Sequence, residues 1–255
     1  CPCGLLHVMS VTLWSTPTTL CLPNDEASTR SSLYLLFIRK SRYTFERLAN
    51  AASCSPDRVL PVASYRGRII TGFESIATIV DVHRAPKNND TSDSGSTVKV
   101  RDKFLSQIYL PWLSQSFCNV MNYFTWVYGP IVNSFTFERV GYGFPSIVSN
   151  YMFKQKKQFH LSYLSAVKWA DKSVDDIKHE FVGICFAISQ ILSTGPYFFG
   201  QNDPGELDAL IYGYWTVFRD FIHVFSPIKD VIEDNKTIND LVDRLESYKN
   251  TIEKA

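Results

Sequence analysis

Charge of one sign is what this chain most conspicuously lacks. Its 26 Lys and Arg stand against 25 Asp and Glu, so no global field argues for nucleic acid or an anionic substrate, and any partner is selected by local surface. Long hydrophobic runs are missing as well. No stretch of about 18 or more uncharged apolar residues occurs, which argues against a membrane-spanning helix. The nearest approach, Phe117 to Phe137, is interrupted by Asn119, Asn122, Gly129-Pro130 and Asn133, and its aromatics suit a packed core. Six cysteines, Cys1, Cys3, Cys21, Cys54, Cys118 and Cys185, show no C-x-x-C pairing, so neither a zinc site nor a dithiol redox pair is indicated. They read as small apolar residues in a reducing compartment. His7, His83, His160, His179 and His223 do not pair at ligand spacing. No G-x-G-x-x-G, phosphate-binding loop, G-x-S-x-G or internal repeat appears. The chain opens on Cys1 rather than Met, which reads as an incomplete N-terminus, and Leu5 to Trp14 is mildly apolar without the basic flank of a secretory leader.

What is present falls into two halves. At 255 residues the chain can bury a substantial core. Thr18 to Leu22 is a short β-prone run closed by Pro23-Asn24-Asp25, and Ala27 to Lys40 carries Leu33, Leu36 and Phe37 at helical spacing. Tyr43 to Leu48 alternates like a half-buried strand. After the turn Cys54 to Arg58, Gly67 folds Val62–Tyr65 back on Arg68–Thr71 as a hairpin. Gly72 leads into a helix whose Phe73, Ile76, Ala77 and Val80 share one face. The segment 84–99, polar and rich in Gly, Ser and Asn, reads as a flexible linker. Beyond it come helices from Val100 to about Tyr128, with a kink expected at Pro111, and from Pro145 to about Trp169. Three more follow: Ser173 to Ser193 opened by the box Ser173-x-x-Asp176, one from Glu206, and Thr237 to Glu253 opened by Thr237-x-x-Asp240. The expected organisation is an α/β domain over 18–83, the linker, and an all-helical domain over 100–255.

The stretch from Gly195 to Leu210 organises the second half. Gly195-Pro196 stops one helix, Tyr197-Phe198-Phe199 is closed by Gly200, and Asp203-Pro204-Gly205 turns the chain. Glu206 and Asp208 then favour the positive end of the next helix, and Asp208 stands where a capping box places its acceptor opposite Gly205. Elsewhere, Lys154, Lys156 and Lys157 form the densest basic cluster, on a helix that also carries Tyr151, Phe153 and Phe159. Such a run either touches anionic headgroups or an acidic partner, or is a solvated helix face.

The Gly195 to Leu210 pattern resembles the start of the buried central helix in glutathione-transferase-like folds, and among those it looks most like the metaxins. Leu48 to Pro56 with Leu60-Pro61 is similar to a metaxin loop segment, although Asp57-Arg58 replaces its Gly turn. Tyr123-Phe124-Thr125-Trp126, and Arg139 to Pro145 ahead of the next helix, extend the resemblance, which covers roughly Leu22 to Ser226. It implies a thioredoxin-like N-terminal domain in which Pro61 is cis, plus an all-α C-terminal domain. In a transferase, Pro61, Glu74 and Ser75 would hold glutathione; read from the residues alone, Pro61 fixes the hairpin and Glu74 and Ser75 complement a helix dipole. The Tyr, Ser or Cys that activates the thiolate after the first strand is not offered cleanly by Leu22-Pro23-Asn24-Asp25. Cys21 and Ser28 are the available substitutes, and Asp25 and Glu26 disfavour a nearby thiolate.

Within the metaxins the resemblance implies the peripheral type. It would be a non-enzymatic subunit on the cytosolic face of the mitochondrial outer membrane, without cofactor, metal or nucleic acid. There it would meet a membrane-anchored partner metaxin and the β-barrel sorting and assembly machinery, in protein import and mitochondrial transport. Tyr197, Phe198, Phe199, Gly200, Asp208, Lys154, Lys156 and Lys157 are the structural or partner-contact candidates. The alternatives are a glutathione-binding or glutathione-transferase enzyme, and a soluble binding protein of the same fold acting elsewhere.

Overall fold

The structure, a computed structural model, describes residues 10–49, 51–84, 95–192 and 195–253. Its N-terminal half is a four-stranded sheet in the order β2-β1-β3-β4. Strand β1 (Ser10–Ser15) buries Val11 and Leu13 on one face and leaves Thr12 and Trp14 half-buried on the other, the period-two pattern of a pleated strand. It lies eight residues ahead of the strand expected at Thr18–Leu22. That segment is instead a turn, in which the Leu20 and Cys21 N–H groups both donate to Pro17 O at 2.8 Å. Proline at either end of the run favours this local closure over ladder pairing.

Helix α1 (Pro23–Ile38) starts earlier than expected because Pro23, with φ pre-set and no N–H to satisfy, occupies its first turn. It ends on Lys40 in the left-handed region (φ 51), with Ser41 N–H closing back on Leu36 O at 3.0 Å. Strand β2 (Arg42–Arg47) pairs parallel to β1 in the register Ser10↔Arg42 to Ser15↔Arg47. Strands β3 (Val62–Tyr65) and β4 (Arg68–Thr71) form the hairpin read from the sequence. Positive φ at both Arg66 and Gly67 gives its turn the twist that matches the strands. Helix α2 (Gly72–Arg84) buries the expected face of Phe73, Ile76, Ala77 and Val80.

Most of the linker reading, residues 85–94, lies outside the described residues, and its last part is already helical, because α3 runs from Gly95 to Trp126. Pro111 sits inside α3 without interrupting it. Where the sequence suggested a simple break at Gly129-Pro130, the chain makes α4 (Gly129–Ile131), a π turn over Val132–Thr136 and α5 (Phe137–Gly141). Then follow α6 (Ser146–Ala166), α7 (Val174–Leu192), a 3₁₀ turn at Phe198–Gly200, α8 (Glu206–Asp220), α9 (Lys229–Asp234) and α10 (Lys236–Glu253). The Ser173/Asp176 box forms as expected, Asp176 N–H donating to Ser173 Oγ at 3.1 Å and Ser173 N–H to Asp176 Oδ2 at 3.0 Å. The box expected at Thr237/Asp240 does not cap α10. Asn235 does so instead, its Oδ1 accepting the Ile238 N–H at 3.1 Å, which fits the preference for asparagine at that position.

The main core is aromatic and lies in the helical half, around Phe117, Phe124, Phe181, Trp215, Phe218 and Phe225. A smaller cluster of Val11, Leu13, Leu36, Ala63, Ile76 and Val80 fills the space between the sheet and helices α1 and α2. Helices α1 and α8 join the two. At Gly213, an added Cβ would sit 2.1 Å from Ser31 Oγ and 2.6 Å from Ala27 O, so only glycine permits this approach. Among the described residues, no helix is long and apolar enough to cross a membrane.

Candidate functional site

The sheet and the helical half meet in a cleft whose first wall is the β3–α2 corner. The Leu60–Pro61 peptide is cis, as the resemblance implied. Pro61 O accepts the Gly72 N–H at 2.9 Å, which draws the start of α2 against the proline. Gly72 takes φ +73, and a Cβ there would come within 3.1 Å of Val59 Cγ1. Buried Phe73 and Ile76 fix α2, and this leaves Glu74 and Ser75 exposed in its first turn. Pro61, Glu74 and Ser75 are therefore brought to one corner at the start of α2, whose first two N–H groups are taken by Pro61 O and Ser28 Oγ.

The second wall is the turn from β1 into α1. Ser28 is committed to structure: its Oγ accepts the Phe73 N–H at 3.2 Å, tying α1 to α2. Cys21 is buried, and burial, followed by the charges of Asp25 and Glu26, pushes its thiol well above the ordinary value. The Cys21 thiol is thus kept protonated, and the Ser28 oxygen is engaged by the start of α2. Glu26 is 1% exposed and held by two arginines. Arg47 reaches it bidentately at 2.8 and 3.0 Å, and Arg30 Nε at 3.0 Å. Burial alone would raise this carboxyl, but the hydrogen bonds and charges of Arg47 and Arg30 outweigh it and hold it below the ordinary value. Arg30 also reaches Asp220 Oδ2 of α8 at 2.6 Å, so the cluster joins β2, α1 and α8. The start of α1 is thus braced by a locked ion-pair network, and the turn ahead of it carries the hydroxyls of Thr16, Thr18 and Thr19.

The far wall comes from α3 and α6. Cys118 Sγ accepts from Asn122 Nδ2 at 3.1 Å, and its thiol is pushed up to about 12 by burial and then by Asp25. Tyr214 Oη donates to Asn24 Oδ1 at 3.3 Å. Tyr163 Oη donates to Asn119 Oδ1 at 2.6 Å and also meets Gln115. His160 stacks on Trp126 with centroids 4.5 Å apart, and burial followed by Lys156 lowers it to about 4, so it is neutral. Asp25 is raised to about 6 by burial, against the pull of Lys156. Leu22 packs with Trp126, Val140, Met152 and Phe153. Helix α6 thus packs against the start of α1 and the end of α3.

This placement separates the three lysines that the sequence reading grouped. Lys154 is exposed, Lys156 faces the cleft, and Lys157 lies over the Phe153 ring at 5.8 Å. Lys156 stands about 100° or more from the other two, because each step turns the helix by that angle, whereas residues 154 and 157, three apart, are neighbours on one face. The aromatic stretch also turns inward. Tyr197 and Phe198 are buried, and Phe199 takes φ 60. Gly195 is held so close to Gly200 that a Cβ would meet Gly200 Cα at 2.6 Å. Asp208, 1% exposed, accepts the Gly205 N–H at 2.8 Å and the Phe198 N–H at 3.4 Å. This carboxylate fastens the 198–205 loop to α8, and burial raises it to about 6 despite the two donors. Tyr197, Phe198 and Asp208 hold the fold together from within, while Phe199 is half-buried and Gly200 exposed.

Two open hollows lie elsewhere. One, about 520 Å³, runs along α10 by Tyr197, Arg244 and Tyr248. The other, about 620 Å³, lies between α3 and α7 by Trp112, Trp169, His179 and Gly183. Among the described residues, no group of His, Cys, Asp and Glu is arranged to hold a metal ion. Asn24, Cys118, Asn122 and Arg47 lie outside the site read from the sequence. Only the fold brings them to the cleft, and their spacing in the chain carries no signal.

Residues 183–245 match the glutathione S-transferase C-terminal domain. Metaxin-2 of Mus musculus and metaxin-2 of Homo sapiens are each 24% identical to the chain over 204 residues, which is 80% of this chain and 70% of theirs. Two solved glutathione S-transferases of Ceriporiopsis subvermispora, each in complex with glutathione, match with TM-scores of 0.56 and 0.53 at 12% and 14% identity. They cover 96% and 93% of this chain, and 99% and 97% of their own chains are covered. The fold is that of the glutathione transferases, and along most of its length the chain is similar in sequence to metaxin-2, in agreement with the metaxin resemblance carried by its motifs.

Proposed function

We propose that this chain is a non-enzymatic, metaxin-like subunit of the β-barrel sorting and assembly machinery. It would act peripherally on the cytosolic face of the mitochondrial outer membrane through contacts with a membrane-anchored partner metaxin. The observation that carries the reading is the start of α1, where burial keeps the Cys21 thiol protonated and the Glu26–Arg47–Arg30 network ties the neighbouring carboxylate into the fold. Similarity to metaxin-2 supports the same direction. A face suited to a protein partner is also present. Phe104, Ile108 and Trp112 follow one another at i, i+4 and i+8 on α3 and are 61%, 52% and 41% exposed. Gly183 of α7 lines the same hollow as Trp112, and Phe186, one turn further on, is 65% exposed. Adjoining apolar stripes of this kind mark protein contact sites.

The test is capture from solubilised mitochondrial outer membranes with the tagged chain. A partner metaxin and a barrel-assembly subunit are expected in the bound fraction, and their absence would overturn the reading. A second reading, glutathione binding without turnover or with it, is favoured by the cis Leu60–Pro61 corner with Glu74 and Ser75 beside it. Calorimetric titration with glutathione beside a conjugation assay separates the two. Heat with turnover establishes a transferase, heat that Glu74→Ala removes establishes a binding cradle, and silence in both leaves the scaffold reading.

A further inference from the structure

A second apolar surface, distinct from the α3–α7 stripe, lies at the turn from α5 into α6. Tyr142 is 68% exposed, Phe144 52%, Ile147 84%, Val148 40% and Tyr151 61%. Five large apolar side chains within ten residues face solvent, a concentration that isolated exposed residues do not explain. The backbone that presents them is firmly held. Ser149 is buried, and its hydroxyl lies within hydrogen-bond distance of both Gly141 O, at 2.9 Å, and Phe144 O, at 3.1 Å. A Cβ at Gly141 would come 2.7 Å from Ser149 Cβ, so the turn is packed closed behind its exposed face. The projection of Phe144 and Ile147 is built into the turn.

Charge along α6 is basic. From Ser146 to Ala166 the helix carries Lys154, Lys156 and Lys157 and no Asp or Glu, in a protein that is otherwise balanced at 26 cations to 25 anions; the exposed Glu138 of α5 stands one turn ahead of Tyr142. Ile147, Tyr151 and Lys154 stand at i, i+4 and i+7 on α6, so an exposed lysine continues the apolar stripe one turn further along. An aliphatic and aromatic tip continued by an exposed lysine complements an anionic lipid surface, with Glu138 at its edge. Apolar groups enter the headgroup boundary, tyrosines suit its depth, and long cationic side chains reach the phosphates.

We infer that the α5–α6 turn is a lipid-inserting surface, in which Tyr142, Phe144, Ile147 and Tyr151 enter an anionic phospholipid interface and Lys154 pairs with its headgroups. This rests on the peripheral-membrane reading above and adds a direct lipid contact to it, independent of any partner protein. The test is flotation of the purified chain with vesicles of phosphatidylcholine alone and of phosphatidylcholine mixed with phosphatidylinositol. The chain is expected to float with the mixed vesicles, and Phe144→Trp to blue-shift its emission when they are added. The triple variant Phe144→Ser/Ile147→Ser/Tyr151→Ser is expected to bind at least about tenfold less, the loss that one such side chain withdrawn from apolar surroundings entails. Lys154→Glu, which leaves the apolar tip intact, is expected to lower binding to the mixed vesicles only. A chain that stays in the dense fraction with both vesicles overturns the inference, while capture of partner proteins, measured separately, still decides the subunit reading. A triple variant that floats like the parent but no longer captures a partner also overturns it, and makes the tip a protein contact.

Discussion

Two carboxylates, Asp25 and Asp208, are raised to about 6 for the same reason: burial penalises the charged form more than their neighbours stabilise it. The neighbours differ. Asp208 accepts two backbone N–H groups, from Gly205 and Phe198, whereas Asp25 has Lys156 across the cleft and the like charge of Glu26 beside it. Because the folded values lie above the ordinary 3.8, the folded chain binds protons that the unfolded chain releases between about 4 and 6. Stability from these groups is therefore full below about 4 and is lost as pH rises through about 6. His160, lowered from 6.5 to about 4, works in the opposite sense over the same window, so the carboxylate contribution is read as a difference between parent and variant. Asp25→Asn, which mimics the protonated acid, should raise the midpoint relative to the parent at pH 7 and leave it nearly equal at pH 4.5, with Asp208 and His160 shaping what remains of the pH dependence. Asp25 is only partly shielded from solvent, so its share is on the order of 1 kcal/mol. Midpoints of parent and variant measured from pH 4.5 to 7.5 check this, and parallel curves would show that Asp25 does not carry the slope.

Helix α8 holds the two halves of the molecule together, and the closest point of that contact is Gly213 against Ala27 and Ser31 of α1. Ser31 Oγ lies 2.9 Å from Ala27 O and 3.2 Å from Leu210 O across the same contact. Gly213→Ala cannot be absorbed by a flexible side chain, because one of the clashing atoms is the Ala27 backbone carbonyl. The helices must move apart, at a cost of about 2–3 kcal/mol of overpacking. Urea unfolding of the variant is expected to show a lower midpoint, and an unchanged midpoint would mean that the helices do not approach this closely. Other elements were legible in advance because local chemistry and tertiary packing agree there. The β3–β4 hairpin is fixed by the Gly67 turn, the α2 face by Phe73, Ile76, Ala77 and Val80, and the start of α7 by Ser173 and Asp176. Strand β1 was missed because Val11, Leu13 and Trp14 sit in a stretch that reads as mildly apolar at the chain's start, and only pairing with β2 and β3 distinguishes it. The α4–α5 segment was missed because Gly129-Pro130 reads as a stop, while Thr136 Oγ1, donating to Thr125 O at 2.7 Å, folds the chain back into helix. In the cleft, Pro61, Glu74 and Ser75 were readable from motif. The Arg47–Glu26 pairing was not, since it depends on β2 lying beside β1.

At the scale of the whole molecule, the large apolar side chains that remain exposed lie mostly on the helices. Helix α6 stacks His160 on Trp126 and sets Met152 and Phe153 against Leu22, so it packs against the start of α1. A binding role for a protein or lipid partner then falls to the exposed helix faces. Two outer surfaces compete for that role, the α3–α7 stripe of Phe104, Ile108, Trp112 and Phe186, and the α5–α6 tip. Their surroundings differ. The tip is continued by the lysines of α6, a helix without acidic residues, with Glu138 at its edge, whereas the hollow beside the stripe is lined by Asp176, Glu180, His179 and Lys172, charges of both signs. A mixed polar rim around an apolar centre fits a protein partner better than a lipid surface. Ile108→Asp/Trp112→Asp places charge in that centre at positions already open to water, so the fold is expected to persist. Capture of a partner metaxin should fall at least about tenfold, as expected when residues at the centre of an interface are lost, while flotation with anionic vesicles is unchanged. The triple serine variant of the tip should give the reverse pattern. If both variants lose both activities together, the two surfaces form one interface and the division between protein and lipid contacts fails.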